Sequence, residues 1–359
     1  MRLMHDVQHV TMLPLLGGLH LRFPRYNATV VEELLTLARP DVLVLEPLPA
    51  GFADDPAWRD TEEVLLPWVA VPWARRRRVS AVGVFEPSPD PQAPADLERY
   101  LSAYPQGRAA LGAVALAERP LAGLLSEPLT LERIMAEVVP CLASARQARL
   151  DAFEDGPGTD WSETRAEAEA GRMLELGPVH VLALVGIDRF VPLRAALERR
   201  GARVTIPTSP PPSEAARERA LLDIAWRGEG ADAGAVVARL RELGHAEARY
   251  HAANLLLAHG HAAEALEELE HVLRLEFAVP PFLPALVLAR LGQLRDLAGR
   301  REDAIRAYRG VLALAWAPED ARAAAEAGLA APFDVPEPDA ATAEDDESDD
   351  APDEVREAP

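Results

Sequence analysis

No lysine occurs in the 359 residues, and all 37 basic side chains are arginine. Arginine in place of lysine, together with much alanine, glycine and proline, is what a GC-rich coding sequence produces, so it does not by itself announce an anionic ligand. Cysteine is almost as scarce. Cys141 stands alone, which excludes an internal disulfide and any multi-cysteine zinc site. Aromatics are 5% of the chain against an apolar share of 49%, so the core has to be built from leucine, valine and alanine. Positive charge is short as well: 58 acids outnumber the arginines, and a net charge of −21 disfavours nucleic acid and anionic membrane surfaces as partners. The opening "MRLMHDVQHVTMLPLL" lacks the features of a secretory signal, and no segment reads as a membrane span of ~20 apolar residues. A cytoplasmic protein without membrane contact is expected.

What is present divides the chain in two. Residues 13–16 (LPLL) are a short apolar run closed by Gly17-Gly18. Asn27 then precedes a helical pattern over 28–38 with early acids and one apolar face, and Arg39-Pro40-Asp41 stops it. The run 42–45 (VLVL) has the length and uniform apolarity of a parallel strand buried on both faces, so 13–45 reads as one βαβ unit. A helical stretch near 61–74, interrupted by Pro67 and Pro72, leads to a third strand over 79–85. Residues 95–150 read as helical stretches broken at Pro105, Gly107, Pro120, Pro128 and Pro140. A helix over 162–176 with Ser162 as its cap, a strand over 179–185, a helix over 192–200 and a strand over 202–206 complete an α/β domain, residues 1–207, with a parallel or mixed sheet and flanking helices.

Residues 208–214 form a proline-rich, stiff linker, and from 215 the strand pattern disappears. Gly260, Ala265, Leu269, Val272 and Leu275 recur as Gly299, Ala304, Tyr308, Val311 and Leu314 at a constant offset of 39. The second copy, "LARLGQLRDLAGRREDAIRAYRGVLAL", resembles a tetratricopeptide repeat, with Arg295 where an aromatic is usual and a stretch beyond the usual length at "FAVPPFLPA". That resemblance implies an all-α helical-repeat domain over 215–333 that docks a protein or peptide partner. A weaker copy is expected over 215–243 and a capping helix over 318–329. Residues 334–359 carry 12 acids and one arginine, the composition of a disordered acidic tail.

Open parallel sheets bind ligands beyond the carboxyl ends of their strands. His20 follows the first strand, Glu46 the second, Glu86 the third, and Asp188 and Arg189 the run 179–185. An imidazole with carboxylates suits a divalent metal with open positions, or a general base and its orienting group. Each residue also has a plain reading. His20 is then a loop histidine, Asp188 a helix cap, Arg75 to Arg78 an exposed helix end, and His180 a structural residue at the far end of the sheet.

Residues 10–207, most clearly at both ends, resemble the TraB/ChaN/erythromycin-esterase-like superfamily, which includes the Tiki metalloproteases. The likeness rests on a strand followed by GxxH, a helix and "RPDVLVLE", and on the closing "VHVLALVGIDRFVPLRAALERRGARVTI". In such proteins two GxxH motifs and the glutamate after the second strand line a hydrolytic, often metal-dependent, site. Gly17 and His20 match the first motif and Glu46 the glutamate. Gly186 opens the second, but Arg189 stands where its histidine is expected, and a guanidinium has no lone pair for a metal. Arg165 is the nearest match to the arginine that such families carry on the preceding helix.

Three outcomes stay open. Asp188 joins His20 and Glu46 as a metal ligand in a hydrolase that also uses Glu86; the domain binds an anion through Gly17, Gly18, Gly186, Arg165 and Arg189; or catalysis is lost and the chain is an interaction protein without a cofactor. A haem held by His20 and Tyr26 is a more distant reading.

Overall fold

The computed structural model describes residues 8–227, 232–275 and 280–334. Five strands form one sheet: β1 (His9–Leu15), β2 (Val42–Leu45), β3 (Ser80–Gly83), β4 (Val181–Gly186) and β5 (Arg203–Thr205). Every pairing is parallel and the order is β3-β2-β4-β1-β5. Each strand overlaps a run expected from the sequence. The two strands of the expected βαβ unit, β1 and β2, lie parallel in this sheet but are not neighbours: β4 enters between them, with Leu15 opposite Gly186 and Leu45 opposite Leu184. The reason is burial. β4 is buried at all its positions, and the centre of a two-sided sheet is where so apolar a strand sheds most water. The insertion brings the end of β4 to the switch point between β1 and β2, where ligand sites of open sheets lie.

Successive side chains face opposite sides of the sheet. Leu13, Leu15, Leu43, Leu45, Leu182 and Leu184 share a core with the helices Ala28–Ala38 and Val71–Arg77. Val10, Met12, Val44, Val181, Ala183 and Val185 share the other with Ser162–Leu174 and Ile187–Arg199.

Several prolines do not interrupt helices as expected. Pro67 lies in the first turn of a π segment, Leu66–Ala70, where a missing N–H removes no bond, and Pro72 follows where that segment passes directly into the helix Val71–Arg77. Pro140 opens Val139–Phe153, which continues from a second π segment, Ile134–Val138. Pro120 lies within Pro105–Ser126. The carbonyl it leaves unbonded belongs to Leu116, which is 68% exposed, so water can serve it. Ser162 is not a cap either: Asp155 accepts the amides of Glu163 (3.0 Å) and Thr164 (2.9 Å) from the preceding loop.

Among the described residues the second part contains only helices: Glu214–Arg227, Ala233–Leu243, Ala246–Ala258, Ala262–Val272, Leu283–Leu297, Arg301–Ala313 and Glu319–Ala330. The offset of 39 recurs in space. Gly260 and Gly299 adopt left-handed φ of 81° and 71° after the first helix of each pair, a conformation costly for other residues. Ala265 and Ala304, Leu269 and Tyr308, Val272 and Val311 are fully buried in matching positions. The acidic tail from residue 335 on lies outside the described residues.

The linker is fastened rather than free. Ser209 N–H donates to Glu132 (3.0 Å) and the Ser213 hydroxyl to Glu33 (2.5 Å). Asn27 caps the helix Ala28–Ala38 by accepting Val30 N–H (3.1 Å), and its amide donates to Ala216 C=O (2.8 Å) in the second part. Trp68 packs against both cores, with its ring centroid 4.5 Å from that of Phe282. Asn27→Ala is therefore expected to cost about 2 kcal/mol, the loss of a cap and of a buried amide bond, as measured by urea unfolding. A cost under about 0.5 kcal/mol would mean that the seam does not depend on Asn27.

One described helix, Pro105–Ser126, is long and apolar enough to cross a membrane by length and composition, against the expectation that no segment is. It carries Arg108, Glu118 and Arg119, and Glu118 pairs with Arg149 at 2.5 Å.

Candidate functional site

The first GxxH segment folds as a 3-10 turn, Gly17–Leu21, directly after β1. The turn carries His20 back beneath the strand, where it is fully buried. Its Nε2 accepts the Leu16 N–H (3.1 Å) and its Nδ1–H donates to Tyr26 C=O (2.8 Å). Burial lowers the imidazole pKa to about 4, against the raising effect of the Tyr26 bond, so the ring is neutral. Both nitrogens are spent on backbone. The Tyr26 hydroxyl is spent too, donating to Pro14 C=O (2.9 Å). His20 therefore braces the loop between β1 and its helix and has no lone pair to offer a metal or a haem.

The glycine amides at the strand ends face carboxylates of the chain itself. Gly17 N–H donates to Glu63 (2.9 Å) and Gly186 N–H to Glu46 (3.1 Å). Gly18 is exposed in the same turn as His20. At Gly186 a Cβ would stand 3.0 Å from an Asp188 oxygen and 3.5 Å from Glu46, so a side chain there would press on Asp188 at the end of β4. Asp188 is exposed in the first turn of Ile187–Arg199, where a carboxylate favours the helix dipole.

Arg189, from that same first turn, points inward. Its guanidinium bonds Glu169 (2.9 Å) and the Ser162 carbonyl (3.3 Å), and its Nε stands 3.7 Å from Glu46 Oε1. Side-chain exposure is 8% for Arg189, 1% for Glu46 and 0% for Glu169. One guanidinium thus faces two buried carboxyls. Burial, reinforced by the charge of Glu169 and opposed by Arg189, raises Glu46 to about 8, so it is largely protonated at neutral pH. Burial raises Glu63 to about 7.

Glu86 and Arg165 are turned to other work. Glu86 pairs with Arg172 (2.6 Å), its amide donates to Glu169 (3.2 Å), and its carbonyl accepts from Arg165 Nε (2.7 Å). Arg165 also pairs with Asp160 and lies over the Phe85 ring. Of the expected residues, Glu46, Gly186, Asp188 and Arg189 do meet at the switch point, while His20 is bonded to backbone and the Glu86 side chain to Arg172, with only the Glu86 amide reaching the cluster at Glu169. Sequence reasoning passed over Glu169 and Glu63. A signal for Glu169 existed: it shares the stripe 166, 169, 170, 173 with Ala166, Ala170 and Met173, so an acid had to be buried there.

Among the described residues, no group of three or more His, Cys, Asp or Glu side chains is placed to hold a metal. The metal expected from the family resemblance does not fit these residues. Its histidine is locked, and a fixed cation stands beside its glutamate. Beside this cluster, and sharing Asp188 and Arg189 with it, lies a cleft of ≈ 280 Å³ lined also by Arg146, Arg149 and Arg165. Each guanidinium is already paired, Arg146 with Glu163, Arg149 with Glu118, Arg165 with Asp160 and Arg189 with Glu169, so an anion entering it has internal carboxylates to displace. Comparison of the chain with family models, curated proteins and solved structures returned no match.

The raised carboxyl has a signed consequence. Glu46 titrates near 4.5 unfolded and about 8 folded, so between those values the folded chain keeps a proton the unfolded chain has shed. Stability from this group is complete below about pH 4.5 and is lost as pH rises through 8, at up to about 1.4 kcal/mol per pH unit. Glu63 adds the same sign. Glu46→Gln removes the titration, so its stability relative to the parent is expected to rise steadily from pH 5 to 8. Parallel pH profiles for the two proteins would show Glu46 ionised throughout.

Proposed function

We propose that this chain is an interaction protein: a TraB/ChaN-like α/β domain, without a working catalytic set, that carries tetratricopeptide-like repeats for a protein or peptide partner. The observation that carries this reading is the burial of Arg189 between Glu169 and Glu46. A permanent cation stands where the resemblance expects a neutral imidazole. It repels a divalent ion, and it holds the buried Glu169 carboxylate in a hydrogen bond of 2.9 Å while lying 3.7 Å from Glu46. The double engagement of His20 supports the same reading. The matched buried positions of the two helix pairs support a repeat module that leaves its outer faces, Leu273 and Leu312 included, open to a partner.

The test uses the full chain purified without chelator. Manganese, iron, cobalt and zinc are expected well below one equivalent, with no turnover of ester or peptide substrates. One equivalent of metal, with turnover abolished by His20→Ala or Glu46→Ala, would overturn the reading. A photo-reactive residue at 273 or 312 is expected to cross-link one partner saturably in cells, a route chosen because the chain offers no lysine to amine reagents. No cross-linked species from either position would remove the docking half.

A further inference from the structure

The end of the sheet away from the switch point is basic. Val42 stands opposite Ser80 and Val181, Val181 opposite Val10, and His9 opposite Arg203, so the five strands start along one line. A basic residue stands at each start. Arg78 precedes β3, Arg39 precedes β2, His180 precedes β4, His9 begins β1 and Arg203 begins β5. The His9 and His180 rings stack at 4.9 Å, and Arg39 and Arg77 share a cleft of ≈ 370 Å³ lined by Trp73 and Pro40.

Three features of this edge call for an anionic occupant. Arg39, Arg77, Arg78 and Arg203 are exposed and form no salt bridge among the described residues, in a chain with 58 acids to 37 arginines. The acids on the described connections into these strands are few: Asp41, whose carboxylate accepts the His180 amide (2.9 Å), and Glu175. Arg39 and Arg78 end their helices with left-handed φ of 48° and 57°, where glycine is the cheaper residue, so a long cationic side chain is kept there at a conformational cost. Compensation of a helix C-terminus accounts for cations in the last turn of Val71–Arg77 but not for Arg203, which stands at a strand start.

The chain carries its own candidate. Its densest acidic run, EDDESDD at 344–350, lies outside the described residues. Length suits it: five strands at about 4.8 Å spacing make an edge about 19 Å wide, and seven extended residues cover about 23 Å. Reach suits it too. Phe333 N–H is fixed to Asp296 near the end of Leu283–Leu297, Phe282 at the start of that helix meets Trp68, and the chain runs on from Trp68 through Val71–Arg77. That folded route measures about 55 Å at 1.5 Å per helical residue with the side-chain contacts added, so the straight distance is shorter. Residue 350 lies sixteen positions past Asp334, a length in which extended chain covers about 55 Å. Tethering raises the local concentration to the millimolar range, so several exposed ion pairs that are weak singly suffice together, whereas an acidic segment of another protein has to compete. Nucleic acid and anionic membranes meet a net charge of −21.

We propose that residues 344–350 dock on the sheet edge of their own chain, their carboxylates pairing with Arg39, Arg77, Arg78 and Arg203. The docked run closes this edge to other acidic partners until it is displaced. The proposal does not depend on the role of the repeats or on chemistry at the opposite end of the sheet.

The experiment places a nitroxide at residue 348, by Ser348→Cys in the Cys141→Ser background, on the full chain carrying isotope-labelled tryptophan. Trp73, whose indole donates to Thr36 (3.0 Å) beside Arg39 and Arg77, reports on the edge. Trp161, next to Ser162 at the switch-point end, is the control. Trp73→Phe and Trp161→Phe identify the two signals. At about 0.1 M salt the Trp73 indole signal is expected to lose most of its intensity relative to Trp161, to the same degree in dilute and concentrated samples. It is expected to return at about 1 M salt, where the Debye length falls from about 10 Å to about 3 Å. Arg39→Gln combined with Arg77→Gln is expected to restore it at low salt without moving the urea midpoint, because both side chains are exposed. No loss at Trp73, an equal loss at Trp161, or a loss indifferent to salt and to the double variant would overturn the proposal. So would a loss transferred from nitroxide-bearing chains to label-free ones mixed with them, which puts the acidic run on a second copy.

Discussion

Arg189→Met is expected to destabilise the chain by about 3–5 kcal/mol in urea unfolding at neutral pH, the cost of leaving a buried charge without its partner. The exposed charge is that of Glu169, fully buried and bonded to Arg189 at 2.9 Å. Glu46 adds little, because it is largely protonated already. Two further measurements separate this cause from lost packing. Adding Glu169→Gln to Arg189→Met is expected to recover most of the loss, since a neutral amide costs far less to bury than a carboxylate. The loss in the single variant is expected to shrink as pH falls, because burial raises the pKa of Glu169 and a protonated carboxyl costs less to bury. A penalty below about 1 kcal/mol, or one indifferent to both changes, would mean that the cluster is not what holds the strand ends.

Tyr308→Ala is expected to cost about 3–5 kcal/mol, the price of an aromatic deleted from a core that cannot collapse around the gap. The ring is fully buried and fills the space left by two glycines: a Cβ on Gly292 or on Gly328 would stand 2.3 Å from it. Tyr308 thus holds three helices, Leu283–Leu297, Arg301–Ala313 and Glu319–Ala330, at one point. Its hydroxyl donates to Asp296 (3.0 Å), which also pairs with Arg301 (3.0 Å) and accepts the Phe333 amide (2.9 Å). Tyr308→Phe, which removes only the hydroxyl, is expected to cost about 1 kcal/mol. Gly328→Val is expected to approach the alanine loss from the opposite direction, by overpacking. Equal stability of the Ala and Phe variants would contradict the wedge.

Local spacing carried much of the architecture. The strand runs, the change at residue 215 and the repeat offset of 39 were readable because period and punctuation act over a few neighbouring residues. Gly260 and Gly299 are examples: each ends a helix by a backbone conformation that glycine alone adopts at little cost. The absence of an imidazole at 189 was equally plain, as was the gathering of Glu46, Gly186, Asp188 and Arg189 near strand ends.

The tertiary structure decided what those residues do. Only the insertion of β4 between β1 and β2 sets Gly186 against Glu46, and only a helix from another part of the chain brings Glu169 to Arg189. His20 reads as a ligand in sequence, yet its two nitrogens are taken by Leu16 and Tyr26. Pro120 and Pro140 read as breaks, yet one lies within a helix one turn past the exposed Leu116 and the other opens a helix that continues from a π segment. The seam at Trp68 and Phe282 has no local signature. The physical reason is common to all of these. Periodicity records which side of an element must be dry, whereas a polar group's partner is chosen by whatever donor, acceptor or charge long-range packing brings within about 3 Å, and that choice is not written in the spacing of neighbours.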